Sequence, residues 1–305
     1  MIHRKKLFRP WGRIITTALL GLCCLWAVAG PLPQRESEDR TRRVWNKRFR
    51  EARDRTLARR PKGTNLKGEL IGITLWRLRD DQDKPTAERA TTDTAFTEGE
   101  RLRISVEAPR TSDGYLYVID SEIYADGSTG DPYLIFPSQT TPEGGNLVSA
   151  GKPVFVPAQG DEYPYFTLER VRKDLLREEL TIIVSQKPLK LSLGTPAEPV
   201  RLERTQVAQW EKQWGGRVER KEERGGAGKQ WTAAEREADK GERRLRQGDP
   251  LPQTIYLVRA KPGAPMMLRV PLQIAPMISD SRLLLRSDTT TKRLSSLFLC
   301  TRWFL

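Results

Sequence analysis

Histidine and cysteine are nearly absent from this chain of 305 residues. The single histidine is His3, and the three cysteines are Cys23, Cys24 and Cys300. Beyond residue 24 the chain therefore has no histidine and one cysteine, so this part cannot form an intrachain disulfide. The lack of histidine also excludes Ser-His-Asp and Cys-His catalysis and histidine-ligated zinc or iron there. An enzymatic hypothesis must then rely on carboxylates, lysine or tyrosine.

The N-terminal segment has the three-part pattern of a secretory signal peptide. A basic stretch ends at Arg13, and an uncharged, mostly apolar run follows from Ile14 to Gly30. Ala27 and Ala29 are small residues of the kind that a signal peptidase recognises. We predict a signal peptide over residues 1–29, with an uncleaved N-terminal anchor as the alternative. The protein is then expected to be exported, either periplasmic or extracellular, with anchoring to the inner membrane as the alternative.

Basic residues outnumber acidic ones, and the formal net charge is +14. Residues 1–29 hold five Lys and Arg residues and no acid, so removing them lowers this charge to +9. A positive protein favours anionic surfaces. Outside the cytoplasm we expect an envelope protein or an anionic surface as the partner, and no nucleic acid.

The composition divides the chain into four parts. After the signal peptide, residues 30–65 are predicted to be a basic linker, which is either a solvated spacer or an amphipathic helix on an anionic membrane. Residues 66–274 are predicted to form the folded domain. Residues 275–305 have no sustained hydrophobic period and are predicted to be a disordered tail.

Short apolar segments separated by Gly, Pro and Asp predict an all-β protein. The clearest is the alternation of Leu102, Ile104 and Val106 with polar residues, which predicts a half-buried strand. Pro271 interrupts another alternating segment and suggests an edge strand. Eight strands are predicted in all, over Ile71–Leu78, Leu102–Val106, Tyr115–Ile119, Tyr133–Phe136, Val154–Val156, Leu180–Val184, Ile255–Ala260 and Met266–Ile274. This pattern indicates an antiparallel β-sandwich.

Two segments are predicted to be helical. The first is the short charged segment from Glu169 to Glu179. The second lies in a charged insertion over residues 201–249, where Thr232 and Glu235 have the spacing of a capping box. A helix from about Ala233 to Leu245 is expected to follow this box.

Four acids crowd one segment: Asp120, Glu122, Asp126 and Asp131. Two interpretations are open. They could form a calcium loop, because hard cations bind several oxygens, although the spacing departs from the EF-hand pattern. They are also explained by a polar turn between two strands, with Asp126-Gly127 at its centre. A pair of carboxylates could alternatively act in glycoside hydrolysis. This reaction needs the two carboxyl groups at a defined distance, which the sequence cannot test.

The tryptophans of the insertion are the candidate partner-binding residues. Trp210 and Trp214 are four residues apart and share a helix face, and Trp231 follows nearby. They could stack on a sugar or anchor a partner protein. Equally, they could dock the insertion onto the sandwich. No catalytic residue, cofactor or metal site is predicted.

The order of several strand motifs resembles the bacterial domain-of-unknown-function family 4384 (DUF4384). The motifs are Phe96–Ile104, Gly114–Val118, Leu134–Pro137, Gly151–Pro157 and Thr181–Ser185. The resemblance covers about residues 70–190, and extends to 274 if the last two strands belong to it. It implies a compact β-rich module, of a kind that often accompanies kinases, peptidase-like domains or helical repeats. It implies no catalytic residues.

The sequence therefore predicts an exported, non-enzymatic β-sandwich that binds a partner at the bacterial cell envelope. Two alternatives stay open. One is a carboxylate-dependent hydrolase of cell-wall material, and the other is a calcium-dependent adhesin.

Overall fold

The computed structural model describes residues 67–276, with gaps at 82–83, 109–113, 159–160, 162–163 and 247. The predicted signal peptide (1–29), the basic linker (30–65) and all but two residues of the predicted tail (275–305) lie outside the described residues. The predictions made for those segments stay predictions.

The described residues form fourteen strands and two helices. The strands are β1 (Lys67–Asp81), β2 (Lys84–Ala90), β3 (Ala95–Phe96), β4 (Arg101–Glu107), β5 (Gly114–Tyr124), β6 (Tyr133–Phe136), β7 (Leu147–Val148), β8 (Val154–Val156), β9 (Phe166–Thr167), β10 (Leu175–Ser185), β11 (Val200–Arg201), β12 (Arg217–Glu222), β13 (Thr254–Ala260) and β14 (Met266–Ile274). The helices are α1 (Arg204–Trp214) and α2 (Ala233–Asp239). Within the part of the chain described, no helix is both long enough and apolar enough to cross a bilayer.

The strands form two seven-stranded sheets. Sheet A has the order β12-β13-β1-β4-β8, with β2 beside β1 and β9 beside β4. Sheet B has the order β11-β6-β5-β10-β14-β3, with β7 beside β5. Strand neighbours pair antiparallel, apart from the parallel contact between β14 and β3. The predicted all-β, antiparallel sandwich is confirmed.

The main core lies between the two sheets. Sheet A contributes Ile73, Leu75 and Ile104 to it, and sheet B contributes Val118 and Ile182, all of them at most 1% exposed. Alternate residues of each strand point to the same face. The apolar residues that occur at every second position in the sequence therefore form the inward face of each sheet.

The outer face of β4 is also buried, and this corrects the prediction of a half-buried strand. Arg103, Ser105 and Glu107 are at most 6% exposed. Arg103 donates to both carboxylate oxygens of Asp239 in α2, at 2.7 and 3.0 Å, and the Trp76 indole donates to Ser105 at 3.0 Å. The charged insertion covers this face of β4, so the polar side chains of β4 lie in the interior.

The helix predicted over Glu169 to Glu179 is wrong. Residues 171–174 form bends and a turn, and β10 begins at Leu175. β10 lies between β5 and β14 and pairs with both. Its backbone groups are satisfied by these ladders, and Leu180 and Ile182 enter the core, so tertiary pairing outweighs the local helical preference.

The insertion over residues 201–249 is part of the sandwich. It contains both helices, and its strand β12 forms an edge of sheet A by pairing with β13. The capping box of Thr232 and Glu235 is present. However, α2 ends at Asp239 and does not continue to Leu245, because Gly241 turns the chain with a φ of 74°.

Two buried ion pairs attach α2 to sheet A. Arg103 pairs with Asp239, and the two side chains are 5% and 4% exposed. Arg89 pairs with Glu235, whose other carboxylate oxygen accepts from the Thr232 amide at 2.8 Å. Glu235 thus caps its own helix and anchors it to β2.

Replacing Asp239 with alanine should destabilise the fold strongly. It leaves the buried Arg103 guanidinium without its carboxylate, a change that costs about 3–5 kcal/mol in comparable cases. Denaturant unfolding measures the free energy. The control is Asp93→Ala, which removes the partner of the more exposed Arg220 and should cost about 0–1 kcal/mol. Equal losses for the two variants would contradict the anchoring role.

Candidate functional site

The three tryptophans of the insertion do not form one site. Trp210 and Trp214 lie on α1 with ring centroids 5.2 Å apart and planes 15° apart, so they are stacked. They pack on the outer face of sheet B, against a cluster that includes Tyr117 and Met267. Trp231 lies instead on the outer face of sheet A, with its ring 5.9 Å from Trp76.

Each tryptophan has a docking role. Trp231 and the Arg89 guanidinium both contact Trp76, and the guanidinium lies 5.1 Å from the ring centroid. Trp210 and Trp214 provide much of the apolar surface of α1, a helix with no fully buried residue. Trp214 has a second feature, because it also lines a pocket beyond the end of α1.

This pocket, called the Trp214 pocket below, has a volume of about 280 Å³ and lies between the end of α1 and the turn joining β13 to β14. Two adjacent glycines shape its wall. A Cβ on Gly216 would lie 2.1 Å from the Arg259 carbonyl oxygen, and one on Gly215 would lie 2.3 Å from that of Glu211. The close backbone approach needed to run from α1 directly into β12 therefore requires glycine.

The Trp214 pocket is strongly cationic. Among the residues that the structure describes, its lining contains four basic residues and no acid, and the basic residues are Lys212, Arg217, Arg259 and Lys261. Lys212 and Lys261 are exposed, and neither has a salt bridge to another described residue. Their charges are available to a ligand.

The two arginines of the pocket lie directly opposite each other. Arg217 of β12 pairs in register with Arg259 of β13. Like charges in this arrangement destabilise a sheet. Glu219 accepts from Arg259 at 3.2 Å and lies 3.6 Å from Arg217, so both arginines are close to the same carboxylate.

The four acids considered for a calcium loop do not converge. Asp126 lies beside Arg172 and Ser128, and Asp131 lies beside Arg204 and Arg201. Hydrogen bonds from Ser128 and Arg172 lower the pKa of Asp126 to about 2. Those from Arg204 and Arg201 likewise lower the pKa of Asp131. Among the residues described, no group of three or more His, Cys, Asp or Glu is arranged to hold a metal ion.

The other two acids belong to a cluster that sequence reasoning missed. Asp120 and Glu122 lie on the inward face of β5, and Glu178 of β10 lies directly opposite Glu122. Asp120 is partly accessible as a residue, yet its Oδ1 is enclosed and has no hydrogen-bond partner among the described residues. Glu178 was missed because its segment was predicted to be helical, which hides the strand register.

Burial and repulsion between charges favour the neutral forms of Asp120 and Glu178. Desolvation, together with the charge of Glu122, raises the pKa of Asp120 to about 7. Desolvation, with the charges of Asp120 and Glu122, raises the pKa of Glu178 to about 8. Near neutral pH the cluster therefore holds protons that ordinary carboxylates have lost.

The cluster should make the fold less stable as the pH rises. The pKa values in the unfolded chain are 3.8 for Asp120 and 4.5 for Glu178. Above these pH values the folded chain therefore holds more protons than the unfolded chain. The associated stability is complete at acid pH and is lost as the pH rises through about 7 and about 8. Denaturant unfolding from acid pH to above about pH 8 measures this loss in the free energy of unfolding, which should reach at least about 1.4 kcal/mol.

The control for this prediction is the double variant Asp120→Asn, Glu178→Gln, which keeps the shape of the side chains without their titration. Its advantage in stability over the unaltered protein should grow with pH. A difference that does not change with pH would contradict the prediction.

No model of a known protein family matches the chain, and no match is found among curated proteins or among solved structures. The resemblance to the domain-of-unknown-function family 4384 therefore stays a prediction. Function is inferred from the residues themselves.

Proposed function

We propose that this protein is an exported, non-enzymatic binding module that holds an anionic partner at the bacterial cell envelope. The observation that carries the proposal is the Trp214 pocket, whose lining, in the described part of the chain, has four basic residues and no acid. Export is supported by the pattern of residues 1–29, and the positive net charge suits an anionic surface.

The donors of the Trp214 pocket suit phosphate or carboxylate groups. Arginine offers a planar fork of donors, and lysine offers a mobile point charge. Arg259 is 5% exposed and is held by Glu219, so it is a fixed element of the wall. Lys212 and Lys261 are exposed and can adjust to the bound group. Trp214 adds an apolar surface beside these charges.

Removing the two lysines should weaken the binding of a small anion. The variant Lys212→Gln, Lys261→Gln should bind tripolyphosphate about tenfold less tightly, because it loses two of the charges that face the pocket; tenfold corresponds to about 1.4 kcal/mol. Isothermal titration calorimetry at low salt measures the affinity. Added salt should weaken binding, since exposed charges are screened.

The matched control is Lys187→Gln, Lys190→Gln. It changes the net charge equally, at two exposed lysines outside the lining of the pocket. It should leave the affinity within about twofold, since any loss there reflects only long-range charge. If both variants lose the same affinity, binding depends on the net charge of the protein and not on the Trp214 pocket, and the proposal is overturned.

A carboxylate-dependent hydrolase is the second candidate, because Asp120 and Glu178 have raised pKa values in a shared cluster. A carboxylic acid with a pKa near neutrality is suited to proton transfer. The assay is release of soluble fragments from purified cell wall. The binding-module proposal expects none, whereas release that is lost in the variant Asp120→Asn, Glu178→Gln would establish the hydrolase instead.

A further inference from the structure

We propose that the partner is a linear polymer of phosphate groups that lies along β12 and occupies two basic pockets, one at each end of this strand. This inference rests on the proposed function, because one of the two pockets is the Trp214 pocket. It goes further by naming the class of ligand and a second point of contact.

The second pocket, called the Gly226 pocket below, has a volume of about 310 Å³. Arg224 and Lys229 line it, both are exposed, and neither has a salt bridge to another described residue. Gly225 and Gly228 have φ values of 72° and 78°, which turn the chain so that these two cations flank one space. Glu223 is the one acid among the described residues of the lining, so the basic residues there outnumber it even with Arg89 neutralised by Glu235.

β12 runs from one pocket to the other. Gly216 lines the Trp214 pocket and Glu223 lines the Gly226 pocket. These residues flank β12, so the pockets are roughly 20 Å apart at about 3.3 Å per residue.

The connecting strand is also basic on its outer face. Arg217 and Lys221 share that face, because their partners Arg259 and Ile255 alternate in the same sense along β13. The acid between them, Glu219, is already engaged by Arg259. An anionic chain leaving the Trp214 pocket therefore meets Lys221 before it reaches the Gly226 pocket.

These features favour a phosphate polymer over an acidic protein. The pockets are small, at about 280 and 310 Å³, and a flexible chain of small anionic groups can enter both while it passes Arg217 and Lys221 of β12. Guanidinium groups match the oxygens of phosphate and of carboxylate in geometry, so the comparison with polyglutamate below separates the two. A chain that reaches both pockets gains affinity, because the second contact becomes intramolecular.

The test compares tripolyphosphate with a linear polyphosphate whose extended length exceeds the roughly 20 Å between the pockets. The full purified protein should bind the long chain at least about tenfold more tightly, compared at equal phosphate-chain concentration. The variant Arg224→Gln, Lys229→Gln should lose this advantage of length. It should still bind tripolyphosphate in the Trp214 pocket, whose four basic residues are unaltered.

Each other outcome contradicts a specific part of the proposal. If length gives no advantage, or if the Arg224→Gln, Lys229→Gln variant keeps it, the two-pocket inference fails. The proposed function survives that result as long as Lys212→Gln, Lys261→Gln still loses affinity. If polyglutamate of matched charge and length binds as tightly as the long polyphosphate, the assignment to phosphate is wrong. If neither pocket variant weakens binding of either chain, the proposed function fails as well.

Discussion

Two buried arginine–carboxylate pairs hold the insertion onto sheet A, and much of the outer architecture depends on them. Arg103 with Asp239 and Arg89 with Glu235 attach α2 to the outer face of strands β4 and β2. Burying a charge costs much less free energy when its opposite charge is buried beside it and hydrogen-bonded to it. The same attachment brings Trp231 over Trp76 and closes the outer face of the sheet. The described residues thus make a sandwich with added layers, which needs no disulfide.

Charge is distributed unevenly over this scaffold. The Trp214 pocket collects cations at the edge of sheet A, whereas Asp120, Glu122 and Glu178 collect acids on the inward face of sheet B. Lys212, Arg217 and Lys261 are exposed, so solvent screens their repulsion, and the two lysines are available to an anion. Asp120 and Glu178 are desolvated and are repelled by each other and by Glu122, so their pKa values are raised. The first arrangement suits ligand binding, and the second makes stability depend on pH.

Much of the sandwich could be predicted from local patterns. The strands over Tyr133–Phe136 and Val154–Val156 were predicted with their observed bounds, and the capping box of Thr232 and Glu235 was read from spacing alone. These features depend on residues close together in the chain. The segment before Leu180 was mistaken for a helix because its pairing with β5 and β14 is invisible in the local sequence. Glu178 was lost from the candidate acids by the same error.

The sequence by itself determined the class of fold and excluded chemistry that needs histidine. A period of two in the apolar residues selects one face of each strand for burial, and beyond residue 24 no histidine is available. Only the tertiary structure decided which side chains meet. It separated Trp231 from Trp210 and Trp214, placed Arg217 opposite Arg259, and set Glu178 against Glu122. The physical reason is that strand pairing and the packing of the insertion join residues far apart in the chain, where local propensity carries no information.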